Sequence, residues 1–325
     1  MIFEPGAAWC LAIALLVDRF VIDPDRLWRR IPHPVVGFGW LIDRAERAMR
    51  SVFRGRTWER SGGIVILAGL VTISIVIGWL IVRVPHLGAA LSTLGAAVLL
   101  AQRSLGAHVE RVGEGLRHDL SSGRREVAMI VGRDVTSLDE SGVSSAAIES
   151  LAENVSDGVV APAFWYLLLG LPGIVAYKAV NTADSMIGHR TPRFERLGWA
   201  SARFDDLLNL VPARLTALLI AAASGRFHAL ATAWRDARLH RSPNAGWPEA
   251  AMAAALGVRL GGPRRYGADL LNETPMNATG RPAAPADIAR ALRVFGRVLW
   301  LLLASVVLVA ILGSADQIQD VLDHA

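Results

Sequence analysis

GGIVILAGLVTISIVIGWLIV (residues 62–82) runs without a single charged side chain. About 20 apolar residues are enough for an α-helix to cross the hydrocarbon of a bilayer, so this stretch predicts a transmembrane helix. The rest of the 325-residue chain agrees: 53% of it is hydrophobic and its mean hydropathy is +0.38. That is too apolar for an ordinary soluble domain. Five further blocks join it as candidate spans, at about 5–18, 87–103, 158–177, 207–224 and 294–313. The expectation is an all-α, polytopic membrane bundle formed as a single integral-membrane domain over 1–325, with cytoplasmic helical loops.

Upstream of that stretch, residues 18–61 hold ten arginines, no lysine and six acids. Basic loops stay on the cytoplasmic side, so this bias puts the loop inside and the N-terminus outside. The opening MIFEPGAAWCLAIALLVDRF lacks a basic leader and reads as a retained first helix. Cys10 is the only cysteine, which excludes a disulfide or a thiolate metal site within the chain. The net charge of +5 comes from arginine-rich loops. It fits topology and contact with anionic lipid. Aromatic residues do not alternate with the basic ones, so nucleic acid is not an expected partner.

Downstream, Gly88, Ala89, Ala90, Gly95, Ala96 and Ala97 give the third block a small-residue face suited to close packing in lipid. Strict alternation of spans would then carry 181–206 outside, although it holds Arg190, Arg193, Arg196 and Arg203. Bent or re-entrant blocks at 158–177 and 207–224 resolve the conflict and keep the polar loops mainly cytoplasmic. Irregular backbone at membrane depth is tolerated where protein encloses it or where it lines a cavity.

The polar residues with chemical promise concentrate in 149–190. Glu149, Glu153 and Asp157 recur every four residues, which stacks them on one helix face. Like charges so placed repel unless a cation sits among them, although a solvated helix face has the same pattern. Lys178 is the only lysine against 33 arginines; a lysine is a compact charge suited to phosphate, or else a membrane-edge anchor. Asn181, Asp184, His189 and Arg190 follow it. In RFDDLLNLVPARL, Asp205, Asp206 and Asn209 resemble helices that hold Mg²⁺ against phosphate. The alternative is that they are acids complementing a helix N-terminus ahead of Pro212. His33 sits between Pro32 and Pro34 in a stiff segment and could bind phosphate. Asp139 and Glu140 belong to overlapping capping boxes. Asn244 lies in a Pro-Asn-Ala-Gly turn, Glu249 starts a helix, and Gly261-Gly262-Pro263 before Arg264 and Arg265 could cradle phosphate through backbone amides.

No phosphate-binding G-x-x-x-x-G-K-[ST], dinucleotide fingerprint, HExxH or strand pattern is present. There is no internal repeat of the transporter kind, and the charges sit at block edges instead of mid-span.

Taken together, HPVVGFGWLI (33–42), GRDVTSLDESGVSSAAIESLAENVSDGVVAPAFWY (132–166), GLPGIVAYKAVNTADSMIGHR (170–190), ARFDDLLNLVPARLT (202–216) and SPNAGWPEAAMAAALGVRLGG (242–262) resemble the CbiB/CobD family of cobalamin biosynthesis, the adenosylcobinamide-phosphate synthases. The departures are small: Ile22 and Ala254 stand where the family pattern has glycine. The last sixty residues carry little family signal.

The resemblance implies a bacterial inner-membrane enzyme joining adenosylcobyric acid to (R)-1-amino-2-propanol phosphate through an amide bond, with ATP and Mg²⁺. It implies corrinoid and amino-alcohol phosphate as substrates and lipid as surroundings. A homo-oligomer, or association with other cobalamin-assembly proteins, is also compatible with it. An acyl phosphate is the simplest activation of a carboxylate at neutral pH. On that basis Glu153, Asp184 and Lys178 are the candidate catalytic groups. Asp205, Asp206 and Asn209 are the candidate Mg²⁺ set. His33, Glu149, Asn154, Asp157, Asn181, His189, Arg190, Arg203, Arg214, Asn244, Glu249 and Arg259 are candidate substrate contacts. The aromatic run Phe164-Trp165-Tyr166 is a candidate wall for the corrin, or a membrane-interface anchor. The competing readings are a corrinoid-binding or transport protein without catalysis, and a phospholipid-type enzyme using a nucleotide-activated alcohol.

Overall fold

The structure, a computed structural model, describes residues 5–21, 33–53, 57–189, 191–262, 264–266, 269–271 and 274–323. It is helical almost throughout, as the hydropathy pattern predicts. Among the described residues, three helices are long and apolar enough to cross a membrane: Glu59–Val82, Glu140–Ile187 and Pro285–Gln317. The bent pair Trp199–Leu208 and Leu210–Ser224 makes a fourth if counted as one span. The chain divides into two compact units, residues 1–100, 161–208 and 305–325, and residues 101–160 and 209–304.

The first unit holds α1 (Pro5–Phe20), α2 (Pro34–Val52), α3 (Glu59–Val82), α4 (Gly88–Leu99), α8 (Ala161–Ile187), α9 (Trp199–Leu208) and the end of α13 (Pro285–Asp323). Helix α1 has 16 residues and α4 has 12, so neither reaches the length of a straight span. Helix α4 stops short of the expected 103 because Leu100 turns extended, with φ −79° and ψ 158°. His33 caps α2: its Nδ1 accepts from the N–H of Val35 at 3.2 Å, and its Nε2 lies 3.1 Å from the Val98 carbonyl. Pro34 then occupies the first helical position, where its missing N–H costs nothing.

Helix α3 packs through glycines along α8 and the turn that follows it. A Cβ on Gly63 would collide with the Leu197 carbonyl, and one on Gly78 with the backbone of Pro172. In lipid, where apolar side chains gain little by leaving their surroundings, such close approach is what holds helices together. Helix α8 is broken at Gly170, whose φ of 65° and ψ of −154° are open to glycine alone.

The second unit holds α5 (Gln102–His118), α6 (Leu120–Ala128), α7 (Glu140–Val155), a π turn (Ser156–Val160), α10 (Leu210–Ser224), α11 (His228–Asp236), α12 (Gly246–Leu256) and the start of α13. Helices α7 and α12 are buried almost all round, which explains their alanine-rich, weakly periodic sequences. Asp139 caps α7 by accepting from the N–H of Gly142 at 2.7 Å, as its capping-box position predicts. Past α12, Gly257 closes the helix in the left-handed region at φ 70°.

Four short strands follow: β1 (Val258–Arg259) pairs in parallel with β4 (Arg281–Pro282), and β2 (Arg264–Tyr266) antiparallel with β3 (Asp269–Leu271). The sequence predicts no strand here, because two or three residues are too few to show alternation.

Candidate functional site

In the first unit, Asn181 and Asp184 of α8 approach Asp205 and Asp206 of α9. Lys178, Asn181 and Asp184 recur every three residues along the C-terminal half of α8, and α9 carries Asp205 and Asp206 in its last turn. Asn181 Nδ2 donates to Asp205 Oδ1 at 3.3 Å, tying the two helices together. Asp184 lies within electrostatic reach of Asp206 and His189. Asp205 is 8% exposed; Lys178, Asn181, Asp184 and Asp206 are half-buried, and Arg203 and His189 are exposed. Arg190 lies outside the described residues.

Asp205 and Asp206 stand in the last turn of α9, a few positions before the start of α10 at Leu210.

The turn joining α8 to α9 is tightly built. Gly188 donates to the Asp184 carbonyl at 2.7 Å, and a side chain on Gly188 would collide with the Asp184 carboxyl group. Arg193 in this turn grips buried Glu46 of α2 through Nε at 3.1 Å and Nη2 at 3.2 Å. Arg50 bonds Glu46 at 2.8 Å and the Arg193 carbonyl at 2.8 Å. Sequence reasoning missed this network. Glu46 and Arg50 are spaced i, i+4, but nothing in the sequence ties them to Arg193.

The second unit holds a separate polar cleft of about 130 Å³, lined by Arg133, Glu149, Ser150, Glu153, Asn154 and Glu249 among others. Glu149 is 4% exposed. Its Oε2 accepts from Arg133 at 2.9 Å, and its Oε1 accepts from Ser145 Oγ at 2.6 Å and from the N–H of Gly261 at 2.7 Å. The carboxylate thus ties α7 to the glycine turn, and one amide of the expected phosphate cradle is already used. Arg133, the cation that the stacked acids required, stands outside their helix and was not singled out from sequence. The side chains of Arg264 and Arg265 lie outside the described ones. Glu153 and Asn154 are exposed on the cleft, and Asn154 Nδ2 donates to the Ser150 carbonyl at 2.8 Å. Asp157 falls half-buried in the π turn, a feature frequent at functional sites.

Elsewhere in this unit, Arg214 donates to Asn244 Oδ1 at 3.4 Å and lies 4.6 Å from the ring centroid of Trp247. Buried Glu249 stands 3.7 Å from His240 Nε2. Asn209, immediately before α10, is buried and makes no side-chain cap to that helix. Arg259 is exposed on β1. Among the described residues no group of three or more His, Cys, Asp or Glu side chains is arranged to hold a metal ion by itself.

These features define a helical protein with membrane-length segments that carries carboxylate, amide and cation clusters at its helix ends. The chain belongs to the CobD/CbiB family: the family model described as CobD/Cbib protein matches residues 11–295. It is 53% identical over 298 residues to the cobalamin biosynthesis protein CobD of Rhizobium meliloti (strain 1021), covering 88% of this chain and 91% of that protein. It is 49% identical to proteins of the same name from Brucella suis biovar 1 (strain 1330), over 93% of this chain and 97% of the relative, and Rhodobacter capsulatus, over 94% and 98%. No solved structure matches the chain. Membership of a cobalamin-biosynthesis family is what the five quoted sequence blocks imply.

Proposed function

We propose that this protein joins the free propionate carboxylate of adenosylcobyric acid to the amine of (R)-1-amino-2-propanol phosphate, giving adenosylcobinamide phosphate. The observation that carries this reading is the meeting of Asn181 and Asp184 with Asp205 and Asp206 in a member of this family.

A carboxylate and an ammonium do not condense in neutral water. The carboxylate oxygen first takes the γ-phosphoryl group of ATP, and ADP leaves. The amine nitrogen then attacks the acyl carbon, phosphate departs, and the ammonium has given up a proton to a base. We assign that base to Asp184, with Glu153 as the second candidate. Lys178 supplies a point charge for phosphoryl oxygens, and exposed His189 and Arg203 supply donors for the amino-alcohol phosphate. Asp205 and Asp206 would hold Mg²⁺, which supplies charge neutralisation on the phosphates. Two carboxylates suffice for that ion, because Mg²⁺ ordinarily completes its shell with substrate phosphate and water. Asn181 orients Asp205.

The test is purified protein in nanodiscs given adenosylcobyric acid, amino-propanol phosphate, Mg²⁺ and ATP. The expected product is heavier than the acid by the amine minus water, and forms only with ATP. Corrinoid retention with no mass change would favour a binding or transport protein instead. Turnover that needs a cytidine nucleotide would favour a phospholipid-type enzyme.

A further inference from the structure

The first unit contains a cavity of about 530 Å³ at the other end of α3 from the acid cluster. Gly63 of α3 packs at Leu197, beside the α8–α9 turn, whereas Gly78 packs at Pro172, on this cavity's wall. Fifteen helical residues separate those contacts by roughly 22 Å. The cavity is therefore not part of the proposed reaction centre, and its ligand chemistry is independent of that reading.

Three features give the cavity this chemistry. First, its wall contains the break in α8. Gly170 holds a conformation open to glycine alone, and Pro172 has no N–H to give the Leu168 carbonyl. Irregular backbone in a spanning helix is tolerated where it lines a polar cavity. Second, buried Ser92 and Tyr166 share one hydrogen bond of 2.6 Å on this wall. Cys10 also reaches the Tyr166 hydroxyl, and with Tyr166 donating to Ser92, Ser92 keeps its own proton for a ligand. Third, Arg83 stands at the rim over Trp79, 3.8 Å from the ring centroid. No carboxylate among the described residues pairs with it. Trp79 is 47% and Leu169 59% exposed beside it, an aromatic and aliphatic edge of the kind found at a membrane surface.

We propose that this cavity is a binding site for one anionic phospholipid. The phosphate lies at Arg83, the glycerol ester oxygens accept from the Ser92–Tyr166 pair, and an acyl chain lies along the leucines of residues 167–171. An arginine at the end of a spanning helix, a hydroxyl pair one step deeper and an apolar wall beyond match the order of groups along such a molecule.

Native mass spectrometry of the detergent-purified full chain during stepwise delipidation tests this, with phosphatidylglycerol, phosphatidylcholine and inorganic phosphate as separate probes. The expected result is one phosphatidylglycerol held more tightly than phosphatidylcholine. Retention should fall about fivefold in Arg83→Gln and be lost in Ser92→Leu, which removes the hydroxyl and intrudes on the cavity wall. Both variants should melt within a few degrees of wild type. A Ser92→Leu protein that does not fold leaves Arg83→Gln and the headgroup comparison to decide. Equal retention of both lipids, no change in Arg83→Gln, or displacement of lipid by inorganic phosphate alone would overturn the proposal.

Discussion

Asn181 on α8 donates a 3.3 Å hydrogen bond to Asp205 on α9. It joins two helices whose polar residues stand 24 positions apart in the chain. Removing the amide in Asn181→Ala is expected to cost about 1.5–3 kcal/mol, the range for a hydrogen bond to a charged group. Asn181→Asp should be worse, because it sets a second carboxylate against Asp205. Melting temperature and turnover checked together should fall in the order wild type, Ala, Asp.

Glu149 and Glu153 are one helical turn apart and should behave differently. Glu149→Ala leaves the Arg133 side chain, 10% exposed, without its carboxylate and the N–H of Gly261 without its acceptor. Breaking such a pair typically costs about 3–5 kcal/mol, so thermal unfolding should shift strongly. Glu153 is exposed on the cleft, and Glu153→Gln, which keeps the side chain's size, should shift melting far less than Glu149→Ala.

Gly78 is a packing residue. An alanine there would place its Cβ 2.6 Å from the Cα of Pro172, so the backbone has to move. Gly78→Ala is expected to destabilise by about 1–3 kcal/mol, as overpacking does. Gly69→Ala, on the same helix with nothing within 4 Å, should be neutral. Unfolding of the two variants in matched detergent checks the contrast.

Outside the membrane segments, Asp236 contributes to the pH dependence of stability. Burial pushes the Asp236 carboxyl up, but the hydrogen bonds from Arg235 and from the N–H of Asn277 outweigh it and hold the group below its ordinary value of 3.8. A carboxyl lowered in the folded state contributes stability that is present above the ordinary value and lost as pH falls through the folded one. Wild type should therefore lose stability below about pH 4 more steeply than Asp236→Asn, measured by melting between pH 7 and 3.

Much of the fold was legible because membrane-length apolar runs leave little choice: 62–82 and 294–313 fall inside α3 and α13. The break in the 158–177 block was legible from its conflict with the arginine-rich loop, and it falls at Gly170. The ends of α1 and α4 were not, since a short apolar helix and a spanning one have the same composition. At the site, the acids of 149–157 read as one stacked face. The structure instead uses Glu149 internally, because Arg133, Ser145 and Gly261 reach it from different parts of the chain. Asp205 and Asp206 admitted two readings from sequence. The boundary between α9 and α10 falls between them and Pro212, and helix ends are the boundaries that pattern fixes least.

The most direct measurement is the turnover of Asp184→Asn in nanodiscs, with corrinoid binding and melting followed on the same sample. The expected result is amide formation at least about a hundredfold slower than wild type, the contribution of a positioned general base, with binding and melting unchanged. Turnover within twofold of wild type would contradict the assignment of the α8–α9 cluster as the reaction centre.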